Sequence, residues 1–154
     1  MKITAQEEYG IRCILRLAGH KAPTPLTVKS IAESEGLSTA YVEKLLRILK
    51  KSGLTQSARG VKGGYALAKS PERISVGEVI HALGGGMTTE DICHKFTGER
   101  PNCIHLNNCC LRPVWKITQR IEEFLYQTLL SSLITGDEQM VQAGLLEKAR
   151  VLHA

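Results

Sequence analysis

The chain has 154 residues, 43% of them apolar, and a formal net charge of +5. That length suits one compact domain, or a small domain with an extension that needs a partner. No apolar run reaches membrane-spanning length, and Glu7 and Glu8 stand where the apolar centre of a targeting peptide would lie, so a cytoplasmic protein without membrane contact is expected. Five cysteines are an odd number, which without an export signal argues against a disulfide framework and for metal or redox chemistry. The charge is uneven: residues 1–70 hold 12 Lys/Arg against 5 Asp/Glu, and the remainder 8 against 10. The N-terminal part is therefore suited to a polyanion.

Thr4 and Glu7 have capping-box spacing, and Tyr9, Cys13, Ile14 and Leu17 follow at helical intervals, predicting a first helix that runs to about Gly19. The turn HKAPTP leads to a second helix from about Thr27, stopped by Gly36. Ser38 is a suitable N-cap for a third, with Tyr41, Val42, Leu45, Leu46 and Leu49 on its apolar side and Gly53 at its close. Two helices across a tight turn, the second longer and basic, make a helix-turn-helix pattern. The run LTQSARGVKGGYALA follows, with two strand-like pieces around Gly60, Gly63 and Gly64, and it reads as a wing. Ser75 and Glu78 repeat the capping-box spacing for a fourth helix ending by Gly84. From Gly84 to about Asn108 there is little periodicity, long for a structureless loop, so something other than an apolar core should order it. Pro113 suits the first turn of a long helix with Val114, Ile117, Ile121, Leu125, Thr128 and Ser132 at three- and four-residue spacing, widened by Phe124, Leu129, Leu130 and Leu133. Such a face needs covering, and a second copy of the chain is the economical cover. Thr135 and Glu138 cap a last helix with Met140, Val141, Leu145 and Leu146 on one side.

The fold expected is mainly α with a small β-hairpin wing. A winged helix-turn-helix domain would occupy 1–83, a cysteine-containing loop 84–110, and a dimerisation helix with a C-terminal helix 111–154. On the third helix Lys44, Arg47, Lys50 and Lys51 cluster, and Arg59 and Lys62 follow in the wing. These cations would supply salt-dependent attraction to the phosphates of double-stranded DNA. Base reading falls to the start of that helix, at Thr39, Ala40 and Glu43. A carboxylate there is useful if it accepts from a cytosine amino group; the alternative for Glu43 is an i,i+4 pair with Arg47.

Cys93 and Cys103 are separated by nine residues and Cys103 and Cys109 by five, with Cys110 adjacent. This is not the paired CxxC of a structural zinc ribbon, and three thiolates suit an iron–sulfur cluster that needs a fourth ligand. Cys110, His94, His105, Glu7 and Glu8 are the candidates, whereas Cys13 lies in the apolar stripe of the first helix and reads as core.

The stretches MKIT, GLSTAYVEKLLRILKKSGL, RGVKGGYALA and ISVGEVI, with the three-cysteine segment leading to Trp115, resemble the bacterial winged-helix regulators of the IscR/NsrR type, over about residues 1 to 135. The resemblance implies a homodimer that places the third helix in the major groove of a partly palindromic promoter site and the wing in the minor groove. Residues corresponding to Glu43 and Arg59 contact bases in the assembly-regulator branch, and Ala40 departs from the serine found there. Cys93, Cys103 and Cys109 match the cluster cysteines, although the first interval exceeds the usual five residues. The assembly regulator completes its site with a histidine where this chain has Arg112. The nitric-oxide-sensing repressors use an N-terminal acidic residue of the other subunit, and Glu8 falls at that position. Glu8 in trans is thus the expected fourth ligand of a [2Fe-2S] or [4Fe-4S] cluster, ahead of Cys110 and His105. The expected function is a transcription regulator, a redox, iron–sulfur or nitric-oxide sensor with no small-molecule substrate. Two alternatives are a cluster-free regulator of the same fold, acting through thiol chemistry or a partner protein, and a metalloenzyme or electron carrier. No acid–base pair or nucleophilic arrangement supports the last.

Overall fold

The computed structural model describes residues 3–22, 24–58, 63–85 and 112–134, with backbone alone at 112, 113 and 115. Helix α1 (Ala5–Gly19) starts where the spacing predicts: the Thr4 hydroxyl accepts from the Glu7 N–H, and the Glu7 carboxylate accepts from the Thr4 N–H at 2.7 Å. Two of the orphan donors of the first turn are thereby satisfied. Helix α2 (Val28–Glu35) is capped by Thr27 and ends at Gly36, whose φ of 65° is left-handed and costs glycine least. Helix α3 (Thr39–Lys51) is capped by Ser38, whose hydroxyl accepts from the Tyr41 N–H at 3.3 Å.

The core is the meeting place of the apolar faces of these helices. Cys13, Ile14 and Leu17 of α1, Ile31 and Ala32 of α2, and Val42, Leu45, Leu46 and Leu49 of α3 are buried together. Each large side chain so buried contributes about 1.5–3 kcal/mol. Beyond Gly53, β1 (Thr55–Ala58) and β2 (Gly64–Leu67) pair antiparallel, from Thr55 opposite Leu67 to Ala58 opposite Gly64. The hairpin is pinned on its other side as well, because Leu26 and Tyr65 exchange backbone hydrogen bonds at 3.0 and 2.8 Å. Gly64 is required by that approach: a Cβ there would collide with the Leu26 carbonyl. A 3₁₀ turn (Pro71–Arg73) then leads to α4 (Val76–Ala82), opened by the Ser75–Glu78 capping box.

One expectation is corrected. The helix entered through Pro113 does not continue to Ser132: α5 (Arg112–Gln127) stops, and α6 (Leu130–Ile134) starts afresh. Between them the backbone turns to pair with the entry of α4. The Val76 N–H donates to the Thr128 carbonyl at 2.8 Å and the Leu130 N–H to the Ile74 carbonyl at 2.9 Å. Val76 is the first residue of α4, and its N–H has no partner inside that helix, so the break in one helix supplies the missing acceptor of another. The break also divides the predicted apolar stripe. Leu130 enters the core and Leu125 packs against it, while Val114, Ile117 and Ile121 stay 53%, 62% and 40% exposed in the single chain. The predicted last helix, from Thr135 onward, lies outside the described residues, as does the segment from position 86 to 111.

Candidate nucleic-acid interface and cluster ligand

The face of α3 away from the core carries the residues singled out in the sequence. Thr39 and Ala40 are exposed in its first turn, and Glu43, Lys44, Arg47 and Lys50 are exposed along it. Their tethers differ. Glu43 accepts from Arg47 at 2.8 Å in an exposed i,i+4 pair, the alternative that the spacing allowed. Lys50 donates to the Ser57 hydroxyl at 2.6 Å, which ties the last turn of α3 to β1 of the wing. The Lys44 ammonium lies 6.0 Å from the centre of the Tyr41 ring. Arg59 and Lys62, at the tip of the wing, lie outside the described residues.

Tyr41 has a second contact that the sequence reading missed. Its ring meets that of Tyr9 on α1 edge to face, with centroids 6.2 Å apart and planes at 81°. The Arg12 guanidinium lies 5.8 Å from the centre of the Tyr9 ring. Each tyrosine therefore has a cation three residues later on its own helix, and that i,i+3 spacing was the available signal. The contact between the two rings depends on the crossing of α1 and α3 and leaves no local trace.

Glu7 and Glu8 have opposite environments. Glu7 is 7% exposed, serves the cap, and has its carboxylate against the backbone of Gly85 closely enough to exclude a side chain there. Glu8 is on the outer face of α1, its side chain 52% exposed and paired with Arg12 at 2.7 Å. Cys13 is fully buried, and burial, reinforced by the Glu35 carboxylate, pushes its thiol up to about 11, so it remains protonated at neutral pH. Its place among the core side chains is the structural role that its position in the apolar stripe predicts. Glu35 itself is held by the Arg16 guanidinium, which links α2 to α1. Among the described residues no three His, Cys, Asp or Glu side chains come close enough to hold a metal ion. Cys93, Cys103, Cys109, Cys110, His94 and His105 lie outside those residues. No described helix is long and apolar enough to cross a membrane.

Comparison with known proteins matches residues 3–136 to the family model described as Rrf2, iron-dependent transcriptional regulator. The chain is 39% identical over 115 residues to Protein rrf2 of Nitratidesulfovibrio vulgaris, spanning 75% of this chain and 74% of that one. Among solved structures it is similar to CymR, the global cysteine regulator of B. subtilis, with TM-score 0.71, 30% identity, and coverage of 88% of this chain and 97% of that one. It is similar also to IscR of T. potens, with TM-score 0.69, 33% identity, and coverage of 91% and 90%. These relatives are regulators, not enzymes, and the hairpin and helices described above are the winged-helix arrangement of their fold. The chain belongs to the Rrf2 family of DNA-binding transcriptional regulators.

Proposed function

We propose that the protein is a homodimer whose affinity for a partly palindromic promoter site is set by an iron–sulfur cluster. Cys93, Cys103 and Cys109 would hold the cluster with Glu8 of the partner subunit as fourth ligand. The observation that supports this most directly is the divided labour of the two adjacent carboxylates. Glu7 is consumed by the cap, whereas Glu8 stands outward in an exposed, easily exchanged ion pair with Arg12. Its oxygen chemistry and its accessibility fit a ligand that arrives from another chain. When bound, the cluster supplies a centre whose charge responds to oxidants, iron supply or small gaseous ligands. Glu8 would then tie α1 to the cysteine segment of the other subunit, and α1 packs directly on α3.

On the DNA side, Thr39, Ala40 and Glu43 would meet base edges in the major groove, Lys44, Arg47 and Lys50 would meet phosphates, and Arg59 and Lys62 would enter the minor groove. Glu43 would have to leave Arg47 to accept from a base, and an exposed i,i+4 pair opposes that by only about 0.3–0.5 kcal/mol. The likeness to CymR favours a second reading, a cluster-free regulator that uses Cys93–Cys110 as thiols or acts through a partner protein. The deciding measurement is iron and acid-labile sulfide per monomer, with the visible spectrum, on protein purified without oxygen. Matching iron and sulfide with visible bands support the cluster. Colourless protein that stays colourless after reconstitution moves the assignment to the thiol reading.

A further inference from the structure

We infer that Tyr41 is a positioning residue for operator binding: its ring, in perpendicular contact with that of Tyr9, holds the Lys44 ammonium ready for a DNA phosphate. The inference rests on α3 being the helix that meets DNA, and it concerns which of its cations is prepared for that contact and by what means.

Of the four exposed cations of α3, Lys51 ends the helix, and the three before it are restrained in three ways. Arg47 is paired with the Glu43 carboxylate, so part of its charge is already compensated. Lys50 is bonded to the Ser57 hydroxyl and serves the junction of helix and wing. Lys44 has no carboxylate within ion-pair distance among the described residues, and its restraint is the Tyr41 ring at 6.0 Å. A ring face attracts an ammonium without neutralising it. The full charge thus remains for a phosphate, while the long lysine stem has fewer rotamers left to lose when it docks.

The ring is itself well placed to act as a stop. Tyr41 sits in the first turn of α3, where its own N–H is fixed to the Ser38 hydroxyl of the cap. The Tyr9 ring meets it at 81° from α1, whose inner face is buried in the core. Lys44 is one turn further along, beside Thr39, Ala40 and Glu43, so a phosphate bound by it would set the depth and angle of that end of the helix in the groove. Arg12 lies over the Tyr9 ring as Lys44 lies over that of Tyr41, so each member of the aromatic pair carries a cation.

The test uses a duplex that the full-length wild-type protein selects from a random-sequence pool, with affinity read by fluorescence anisotropy across a salt series. Lys44→Met should weaken binding and reduce the slope of log affinity against log salt by about one. Tyr41→Phe keeps the ring face and should bind as wild type. Tyr41→Leu should lose about three- to tenfold, the range of an exposed ring–cation contact plus the freed stem. In the Tyr41→Leu background, Lys44→Met should then cost markedly less than it does in wild type, a coupling that general destabilisation would not produce. Independently of whether Tyr41→Leu folds, the Lys44 side-chain methylene protons of wild type and of Tyr41→Phe should be shifted upfield by the ring. Methylene signals at free-lysine positions, or equal losses for Lys44→Met in both backgrounds, would overturn the assignment. Failure of the wild-type protein to select any duplex would overturn the DNA-meeting role of α3 and this inference with it, whereas a selected duplex with additive losses would overturn this inference alone.

Discussion

Glu7 and Glu8 show how one position along a helix decides what a carboxylate is for. Glu7 closes a capping box and is buried; Glu8, turned about 100° away, is half exposed and pairs with Arg12. Glu7→Ala should therefore cost about 1 kcal/mol and a few degrees in Tm. Glu8→Ala should leave Tm unchanged and lower iron and sulfide retained after gel filtration. Full iron and sulfide in Glu8→Ala would remove Glu8 from the ligand set. A second carboxylate carries a pH dependence. The Ser75 backbone N–H holds Glu78 below its ordinary value, aided by the Ser75 hydroxyl and the Lys69 charge against a desolvation that raises it. A depressed carboxyl stabilises the fold above its unfolded value of 4.5 and loses that contribution as the pH falls through the lower folded value. Glu78→Ala should thus be less stable than wild type by about 1 kcal/mol at neutral pH, with the gap narrowing in acid below that value. A gap that persists unchanged into strong acid would show that the side chain acts through packing instead.

The elements were legible to very different degrees. Helices α1 to α4 and the hairpin follow from local signals: the caps Thr4, Thr27, Ser38 and Ser75, the stops Gly36, Gly53 and Gly84, and apolar residues at helical spacing. The stop between α5 and α6 was not legible, because its cause is the backbone of Ile74–Val76, some fifty residues earlier in the chain. Thr128 and Ser132, two hydroxyls in an otherwise apolar stripe, were the marks of it, and each now donates back to a carbonyl of its own turn. The candidate interface divides in the same manner. Residue type and spacing gave the basic face of α3 and the pairs along it, whereas the Lys50–Ser57 tether and the Tyr9–Tyr41 contact join different elements, and the three cysteines lie outside the described residues. The α4–α5 crossing gives its own prediction. A Cβ at Gly77 would lie 2.7 Å from two ring carbons of Tyr126 and 2.9 Å from its backbone nitrogen. Gly77→Ala should cost about 1–3 kcal/mol in urea unfolding. Removing the ring with Tyr126→Ala should recover only part of that, since the backbone nitrogen stays. Wild-type stability for Gly77→Ala would mean that the two helices are free to separate.

For the molecule as a whole, the proposed dimer would engage both the exposed apolar side chains of α5 and the outward Glu8 of α1. Val114, Ile117 and Ile121 lie one turn apart along a helix of 16 residues and form the apolar stripe that the proposed dimer would bury. A second copy would cover it and place two copies of α3 on one duplex, and avidity of that kind is worth about 100-fold or more in affinity. Ile117→Glu puts a charge on the most exposed of the three. The variant should sediment as a monomer with unchanged far-ultraviolet circular dichroism, and its operator affinity should fall by about 100-fold or more. The decisive reading is its iron. If Glu8 acts across the dimer, a folded monomer retains all three cysteines and its own Glu8 yet loses the ligand from the other chain, so cluster content must fall together with the dimer. A monomeric variant that keeps full iron and sulfide would place the fourth ligand within one chain, which leaves Cys110 and His105 as the residues to replace next. A variant that stays dimeric would move the interface off this face of α5.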